Sequence, residues 1–289
     1  MLTFEPRLPI AAITDEFSPS LPQALTVMKE IGMTAAELRT VDGKNLVDLS
    51  QDEVAQVRHQ LDSAGLPVIS IASPLLKCVL PDSPALDGRF QQDAFASRHT
   101  FADQPRLTDR ALELAAFFKA PIVRVFSYWR TVQPEETYAK VAEALYRLAD
   151  RAASIGVTIG LENEHACNVA TGAEAARILQ AVDHANLKLV WDPANALVAG
   201  EQPYPTGYAL LPKHRIVHVH AKDCHMNGHL PVWGPLGTRH VLWKDQLAAL
   251  LADGYQGFVS LETHWPGPDG NKLEASRICG WNLRGLAAG

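Results

Sequence analysis

The stretch Val157-Thr-Ile-Gly-Leu-Glu162 predicts a buried strand that ends in a side chain able to bind metal. Three later stretches repeat the pattern: Leu187-Lys-Leu-Val-Trp-Asp192, Ile216-Val-His-Val-His220 and Gly257-Phe-Val-Ser-Leu-Glu262. The first two gaps between the terminal residues are close to one strand-plus-helix unit of a (β/α)8 barrel, about 30 residues. The last gap is longer and carries an extra loop. Because such barrels keep their chemistry where the carboxyl ends of the strands meet, the pattern predicts one active rim.

The rest of the chain continues this rhythm of strands and helices. Apolar runs of strand length alternate with segments of helical period, which is typical of a parallel sheet covered by helices. Further strands are predicted at Ile10–Thr14, Ala35–Arg39, Pro67–Ala72 and Ile122–Phe126. Helices are predicted at Leu21–Ile31, Ser50–Ala64, Thr108–Lys119, Pro134–Ile155, Gly172–Val182, Tyr208–Lys213, Leu242–Ala252 and Leu273–Leu286. Eight of each predicts an α/β fold, a single TIM barrel domain over residues 1–289.

Two features mark where elements begin and end. Ser50 and Glu53 have the spacing of a capping box at a helix start, and Gly65 stands where a helix C-cap belongs. The segments Ser73–Pro105 and Lys222–His240 break the rhythm as long loops on the predicted active rim. Long loops in a compact domain are usually lids or binding loops.

Composition excludes several classes of protein. The chain has 289 residues, 47% of them hydrophobic, and a net charge of −6 without a basic run, so nucleic acid is not an expected partner. Its four cysteines are scattered without a Cys-x-x-Cys pair, which favours reduced thiols in the cytoplasm. We expect no signal peptide and no membrane-spanning segment, since no suitable apolar run is present.

The four strand-end residues form a candidate metal site. Side chains alternate between the two faces of a strand, so Glu162 shares a face with Thr158 and Gly160, opposite Ile159 and Leu161. Three carboxylates packed together would repel one another unless a cation joined them. The predicted ligands of one divalent ion are Glu162, Asp192, His220 and Glu262. This oxygen-rich set favours Mn²⁺, Mg²⁺ or Co²⁺, with Zn²⁺ as the alternative. Taken singly, each is more often a solvated or hydrogen-bonded strand-end group.

Six motifs resemble those of the xylose isomerase-like barrels, a superfamily of sugar phosphate isomerases and epimerases. The superfamily also contains ketose 3-epimerases, hydroxypyruvate isomerases, inosose dehydratases and endonuclease IV. The resemblance extends from Ile10 to about Trp265, and it places the metal ligands on the same four residues. The motifs are Ile13-Thr-Asp-Glu-Phe-Ser18, Glu37-Leu-Arg39, Leu161-Glu-Asn-Glu-His165, Trp191-Asp-Pro-Ala-Asn195, His218-Val-His-Ala-Lys-Asp223 and Leu261-Glu-Thr-His264.

The resemblance implies a mechanism. In these enzymes the metal chelates neighbouring oxygens of a ketose or hydroxy-ketone and stabilises the enediolate that forms when a C–H group is deprotonated. Two glutamates then act as general base and general acid, here Glu162 and Glu262.

Two departures narrow the substrate. The ketohexose epimerases have a histidine where this chain has Asn195 and an arginine where it has Met226. Both groups contact sugar in those enzymes, so a free ketohexose epimerase is disfavoured. The run His220-Ala-Lys-Asp223 looks more like the isomerase and dehydratase branches.

Nine further residues are candidates around the metal. The candidates for substrate binding are Glu164, Asn195, Lys222, His264 and Arg124, and those for support behind the ligands are His218, Asp223, Glu37 and Arg39. We expect Glu37 and Arg39 to form a buried pair that braces the second strand, with substrate binding as the second interpretation. Arg124 binds an anionic substrate group or pairs with Glu37. Lys222 binds a substrate oxygen or phosphate, or forms a strand-end ion pair, and His264 contacts substrate, relays a proton or is structural.

The leading hypothesis is a metal-dependent isomerase or epimerase with a small carbohydrate-like substrate. The runner-up is a dehydratase of a keto-inositol or a cyclic keto-acid. A non-catalytic metal- or sugar-binding barrel is the alternative from another class, and an abasic-site nuclease ranks last. The sequence leaves open a homo-oligomer and whether the substrate is phosphorylated.

Overall fold

The computed structural model describes residues 5–90 and 98–289 and contains eight parallel strands. Their hydrogen-bonded order closes on itself, with the first strand between the second and the eighth. The predicted barrel is therefore confirmed. The strands are β1 (Ile10–Ile13), β2 (Ala35–Leu38), β3 (Val68–Ala72), β4 (Ile122–Val125), β5 (Thr158–Glu162), β6 (Leu187–Trp191), β7 (Ile216–Ala221) and β8 (Val259–Leu261).

Helices alternate with these strands as predicted, with a few differences in their bounds. The helix predicted from Thr108 begins at Gln104, and the segment Pro134–Thr137 is a 3-10 turn rather than the start of a helix. A short helix after β6 was missed. The helices are α1 (Leu21–Ile31), α2 (Gln51–Ala64), α3 (Gln104–Phe118), α4 (Tyr138–Ala153), α5 (Gly172–Ala181), α6 (Pro193–Val198), α7 (Tyr208–Leu210), α8 (Trp243–Ala252) and α9 (Lys272–Ala288).

The chain divides into two compact units, one running up to Ile71 and resuming at His218–Gly289, the other spanning Ala72–Val217. Within the first, β1 pairs with β2 and β8, and β8 pairs with β7, with Val259 opposite Val219. Within the second, β5 pairs with β4 and β6, with Glu162 opposite Val190. One domain over residues 1–289 stays a prediction.

Strand β5 shows why the predicted alternation works. Ile159 and Leu161 are fully buried. A Cβ atom on Gly160 would lie 2.7 Å from the Cγ2 atom of Val190, so a larger residue there would collide with the neighbouring strand. Glycine at this position leaves room for the side chains of Val190 and Ile122 on the neighbouring strands.

The two long loops differ from expectation. Residues 91–97 of the first lie outside the described residues. Its described part contains the 3-10 turns Gly88–Phe90 and Phe101–Asp103 and an isolated antiparallel bridge between Leu86 and Thr131. The second is not irregular, because it contains an antiparallel pair, Asp223–Asn227 with Leu230–Gly234.

Local signals at helix ends were accurate. Ser50 and Glu53 form a capping box at α2, and Gly65 ends that helix at φ 69°. Over the stretches of chain that the structure describes, none of the helices combines the length and apolar character needed to cross a membrane.

Candidate metal centre

Two histidines on β7 share one buried carboxylate. His218 and His220 have their Nε2 atoms 3.0 and 3.1 Å from Oε2 of Glu37, which lies on β2. Burial would raise the pKa of Glu37, but the two histidines outweigh it and hold that pKa well below the usual value. Since an ionised carboxylate only accepts hydrogen bonds, each Nε2 carries the proton. The Nδ1 atom of His220 is therefore the nitrogen suited to bind a metal ion.

Glu262, directly after β8, is held by two cations. Lys222 Nζ lies 2.5 Å from its Oε2, and Arg39 donates to its Oε1 over 3.1 Å. His220 Nδ1 is 3.7 Å from Oε2. Burial alone would raise the pKa of Glu262, but Lys222, His264 and His220 lower it well below the ordinary value. This carboxylate is therefore ionised and oriented, as a metal ligand must be.

The expected Glu37–Arg39 pair was wrong. Arg39 instead binds Asp15 at 2.8 Å and Glu16 at 2.5 Å in addition to Glu262. Residues two apart on a strand share a face but lie about 6–7 Å apart along it. Glu37 therefore meets the histidines of β7, whereas Arg39, beyond the end of β2, reaches the residues that follow β1.

Glu162, at the end of β5, is held within its own unit. Arg124 on β4 donates to its Oε2 over 2.5 Å, and Asn195 Nδ2 donates to its Oε1 over 3.3 Å. The Arg124–Glu162 pair was missed because parity gives the face of a side chain and not its partner. Arg124 therefore fixes the orientation of the candidate base.

Asp192 combines two structural tasks. It is the N-cap of α6, where its Oδ1 accepts from the backbone N–H of Asn195 over 2.9 Å. Its own backbone is joined to Asn163, whose Oδ1 accepts from Asp192 N–H and whose Nδ2 donates to Asp192 C=O, both over 2.8 Å. The missed helix α6 is thus what fixes Asp192 and Asn195 relative to each other.

Further polar residues lie next to Glu162 in the same unit. Glu164 Oε1 and Asn195 Oδ1 each lie 2.8 Å from Nδ1 of His165. Lys77, in the loop after β3, is buried with its Nζ 4.0 Å from Glu164 Oε2. Sequence reasoning missed His165 and Lys77. His165 stands one residue beyond the candidate Glu164, whereas Lys77 lies in a loop without periodicity and gave no signal.

Asp223 and His264 have different surroundings. The carboxylate of Asp223 accepts from the backbone N–H groups of Gly237, Arg239 and Val241 over 2.9–3.1 Å, so it anchors the segment after the hairpin. His264 packs its ring 4.6 Å from that of Trp233, and its Nε2 is 3.7 Å from Glu262 Oε1. Burial, followed by the charge of Lys222, lowers the pKa of His264.

The structure contains candidate groups of metal ligands. Glu162 and Asp192 are buried carboxylates at the ends of β5 and β6 in one unit, and in the other unit the buried His220 and Glu262 have Nδ1 and Oε2 3.7 Å apart. Three carboxylate oxygens and one imidazole nitrogen fit a divalent cation. A second group, Glu37, His218 and His220, is explained by its hydrogen bonds. A third group consists of Glu16, Glu262 and His264. Its Glu16 is already paired with two basic side chains, Lys272 at 2.6 Å and Arg39 at 2.5 Å.

A closed parallel barrel with buried carboxylates and an imidazole at the ends of its strands belongs to the class of barrels with a candidate divalent-metal centre. The family sequence model described as xylose isomerase-like TIM barrel matches residues 25–279. The chain therefore belongs to the xylose isomerase-like TIM barrel family, as its motifs indicated.

Two curated relatives are inosose dehydratases. The protein from Bacillus thuringiensis (strain Al Hakam) is 32% identical over 94 residues, which are 32% of this chain and 31% of the relative. The protein from Lacticaseibacillus casei is 29% identical over 155 residues, 48% of this chain and 51% of the relative. The chain thus matches about a third to a half of the length of these relatives.

Solved structures share the fold over almost the whole chain. The IOLI protein with a bound zinc atom has a TM-score of 0.72 at 19% identity, with 97% of this chain and 98% of that chain covered. A Mycobacterium smegmatis protein of the same barrel type, in complex with magnesium, has a TM-score of 0.66 at 18% identity, with 98% of both chains covered. The 3-keto-D-glucoside 4-epimerase of E. coli has a TM-score of 0.67 at 18% identity, with 96% and 100% covered.

Proposed function

We propose that this protein is a metal-dependent isomerase or epimerase of a small sugar or hydroxy-ketone. Two within-unit observations carry the proposal: the buried carboxylates Glu162 and Asp192 at neighbouring strand ends, and the buried pair His220 and Glu262, whose Nδ1 and Oε2 lie 3.7 Å apart. Family membership supports an enzyme of this sugar-modifying type.

The four residues of this group would hold one divalent ion. When bound, such an ion supplies Lewis acidity that polarises a carbonyl group and stabilises the negative charge of an enediolate. Mn²⁺, Mg²⁺ and Co²⁺ suit the oxygen-rich donor set, and Zn²⁺ is the alternative.

The proton transfers are assigned to the two glutamates. Glu162 removes the proton from the carbon next to the carbonyl, and Glu262, which receives a proton from the adjacent ammonium of Lys222, donates it on the other side of the substrate. Arg124 and Asn195 keep the carboxylate of Glu162 in one orientation, while Lys222 and Arg39 do the same for Glu262. Positioned carboxylates lower the barrier because the reacting groups need no reorganisation.

A dehydratase is the second candidate, favoured by the inosose dehydratases among the relatives. Its first step is the same removal of a proton next to a carbonyl. The second step expels a hydroxyl group, and the ammonium of Lys222, next to Glu262, is a suitable proton donor for it.

Exchange of solvent deuterium tests both candidates. The purified protein is incubated in D₂O with Mn²⁺, Mg²⁺ or Co²⁺ and a panel of ketoses, inososes and small hydroxy-ketones. Isomerisation or epimerisation yields a product with the same skeleton that carries deuterium, whereas dehydration yields a product lighter by one water. We expect E162Q and H220A to abolish exchange. R147A, on an exposed part of α4, is the matched control and should exchange like wild type.

The contradicting outcomes are specific. Equal exchange by wild type, E162Q and H220A would remove the assigned site. Binding of a panel member without deuterium incorporation would favour the non-catalytic barrel instead.

A further inference from the structure

A buried cation and a buried carboxylate face each other within the unit Ala72–Val217. Lys77 Nζ lies 4.0 Å from Glu164 Oε2, and each side chain is only 7% exposed. The ammonium also lies against two aromatic rings, 4.5 Å from the centre of Phe126 and 5.6 Å from that of Trp129. We call Lys77, Glu164, Phe126 and Trp129 the Lys77 subsite.

Two series of contacts join the Lys77 subsite to the candidate base. A second cation, Arg124, also lies against Phe126. Its guanidinium is 4.2 Å from the ring centre and donates a hydrogen bond to Glu162. Separately, Glu164 contacts His165, His165 contacts Asn195, and Asn195 donates to Glu162. A ligand group in the Lys77 subsite would therefore belong to the molecule on which Glu162 acts.

The backbone before the subsite is unusual. Leu76 and Tyr128 have φ angles of 61° and 62°, in the left-handed region that bulky side chains rarely adopt. Each directly precedes a member of the subsite, Lys77 or Trp129, and Tyr128 N–H donates to Leu76 C=O over 2.7 Å. Such conformations cost free energy and cluster at ligand-binding positions. Here they immediately precede Lys77 and Trp129, and the Lys77 ammonium lies 5.6 Å from the centre of the Trp129 ring.

The charges of the subsite indicate the chemistry of its ligand. Lys77 is a donor and Glu164 an acceptor, so a hydroxyl group, which both accepts and donates, satisfies the two together. A phosphate or carboxylate would gain the attraction of Lys77 but meet the like charge of Glu164. The charge of the candidate base Glu162 is likewise compensated, because Arg124 lies 2.5 Å from it. Aromatic faces with a few placed polar groups are typical of small-ligand sites.

We propose that the Lys77 subsite reads a hydroxyl group of the substrate and selects a neutral polyhydroxylated ketone over its phosphate ester. The inference rests on the proposed function for the identity of the reacting ketone, and it assigns to Lys77 a role in specificity. Sites built to bind a hydroxyl discriminate strongly, since a mismatched ligand leaves buried polar groups unsatisfied.

Binding and exchange are measured on the same samples. Saturation-transfer difference NMR with 2-keto-myo-inositol, D-fructose and D-fructose 6-phosphate gives binding, and incorporation of deuterium from D₂O gives turnover. The variants are K77M, which keeps the length of the side chain without its charge, and E164Q. The control is K140M, which removes an exposed lysine bonded to Pro81 C=O and Asp82 C=O of the loop that contains Lys77. Elemental analysis checks that all variants hold the same amount of metal.

We expect wild type to bind at least one neutral ketone about 10-fold or more tightly than the phosphate ester. K77M should weaken binding of the neutral ketone by about 10-fold or more. E164Q should reduce the preference for the neutral ketone over the phosphate ester by a similar factor. K140M should bind both ligands like wild type. Preference of wild type for the phosphate ester, equal binding by K77M and wild type, or no binding of either neutral ketone would overturn the inference.

The two proposals fail in different ways. Faster deuterium exchange with D-fructose 6-phosphate than with the neutral ketones would overturn the hydroxyl-reading subsite and leave the isomerase in place. Lys77-dependent binding of a neutral ketone without exchange would contradict the isomerase and support the subsite.

Discussion

Lys222 Nζ lies 2.5 Å from Oε2 of Glu262, and the two side chains are 1% and 5% exposed. Lys222 follows the end of β7 by one residue, and Glu262 directly follows β8. A buried charge left without its counter-charge is strongly destabilising, because the interior solvates it poorly. This pair therefore provides a direct test of how the carboxylate is held.

Replacing Lys222 by Met should destabilise the protein. We expect K222M to lower the free energy of unfolding by about 3 kcal/mol, since Glu262 stays buried with one cation fewer. Urea unfolding in the presence of a chelator measures the loss without a contribution from metal. K244M, on the exposed side of α8, is the control and should change little. Equal stability of K222M and wild type would show that the ion pair contributes nothing.

The same pair predicts a pH dependence. The pKa of Glu262 is lowered well below its ordinary value of 4.5, so the ionised form is favoured in the folded state. Its contribution is complete above pH 4.5 and is lost as the pH falls below that value toward the folded-state pKa. The free energy of unfolding, measured at several pH values below 5, should therefore decrease less steeply with falling pH for K222M than for wild type. The same pH dependence of the free energy of unfolding in both proteins would contradict a role of Lys222 in lowering the pKa of Glu262.

Substitutions of the two histidines of β7 should affect metal affinity to different degrees. His220 is the proposed ligand, whereas His218 shares Glu37 with it, so H220A should abolish binding of one equivalent of Mn²⁺ or Co²⁺. H218A and E37Q should weaken it by about 10–100-fold, because they disturb the group that orients the ligand. Elemental analysis and metal titration of each variant measure this. Retention of full affinity by H220A would refute the ligand assignment.

The capping box of α2 should contribute to stability independently of the site. S50A should cost about 1 kcal/mol in urea unfolding, since the backbone N–H of Glu53 loses its acceptor. S154A, at the exposed end of α4, serves as the control. Contacts to Lys44 and Ser50 lower the pKa of Glu53 to about 2, so the cap should persist under mild acid and weaken between about pH 4.5 and 2. No difference between S50A and S154A would contradict a role for the cap.

Thiol reagents should find the native protein unreactive. All four cysteines are buried thiols outside any disulfide, and burial, with a smaller contribution from Asp103, raises the pKa of Cys78 to about 12. Because the thiolate is the reacting form, we expect less than about one thiol to react at pH 7–8 before unfolding. Four should react in denaturant. Rapid labelling of Cys78 in the native state would show that its loop opens readily.

The elements whose signals are local were predicted well. The caps of α2 depend on neighbours three or four residues away, and each strand is a short apolar run between turns. The short helix α6 was missed because its six residues are too few for a hydrophobic period, and the hairpin Asp223–Gly234 because its residues lack an apolar alternation. Residues at strand ends could be chosen as ligands since parallel strands all end at one rim.

Partners across the fold required the tertiary structure. The sequence by itself determined the barrel, its caps and a group of strand-end carboxylates and histidines, because these follow from periodicity and from the fixed direction of parallel strands. Only the tertiary structure decided that Arg39 binds Glu16 and Glu262 rather than Glu37, that Arg124 holds Glu162, and that Lys77 faces Glu164. Long flexible side chains choose among several partners within reach, and burial, distance and competing charges settle that choice only after the chain has folded.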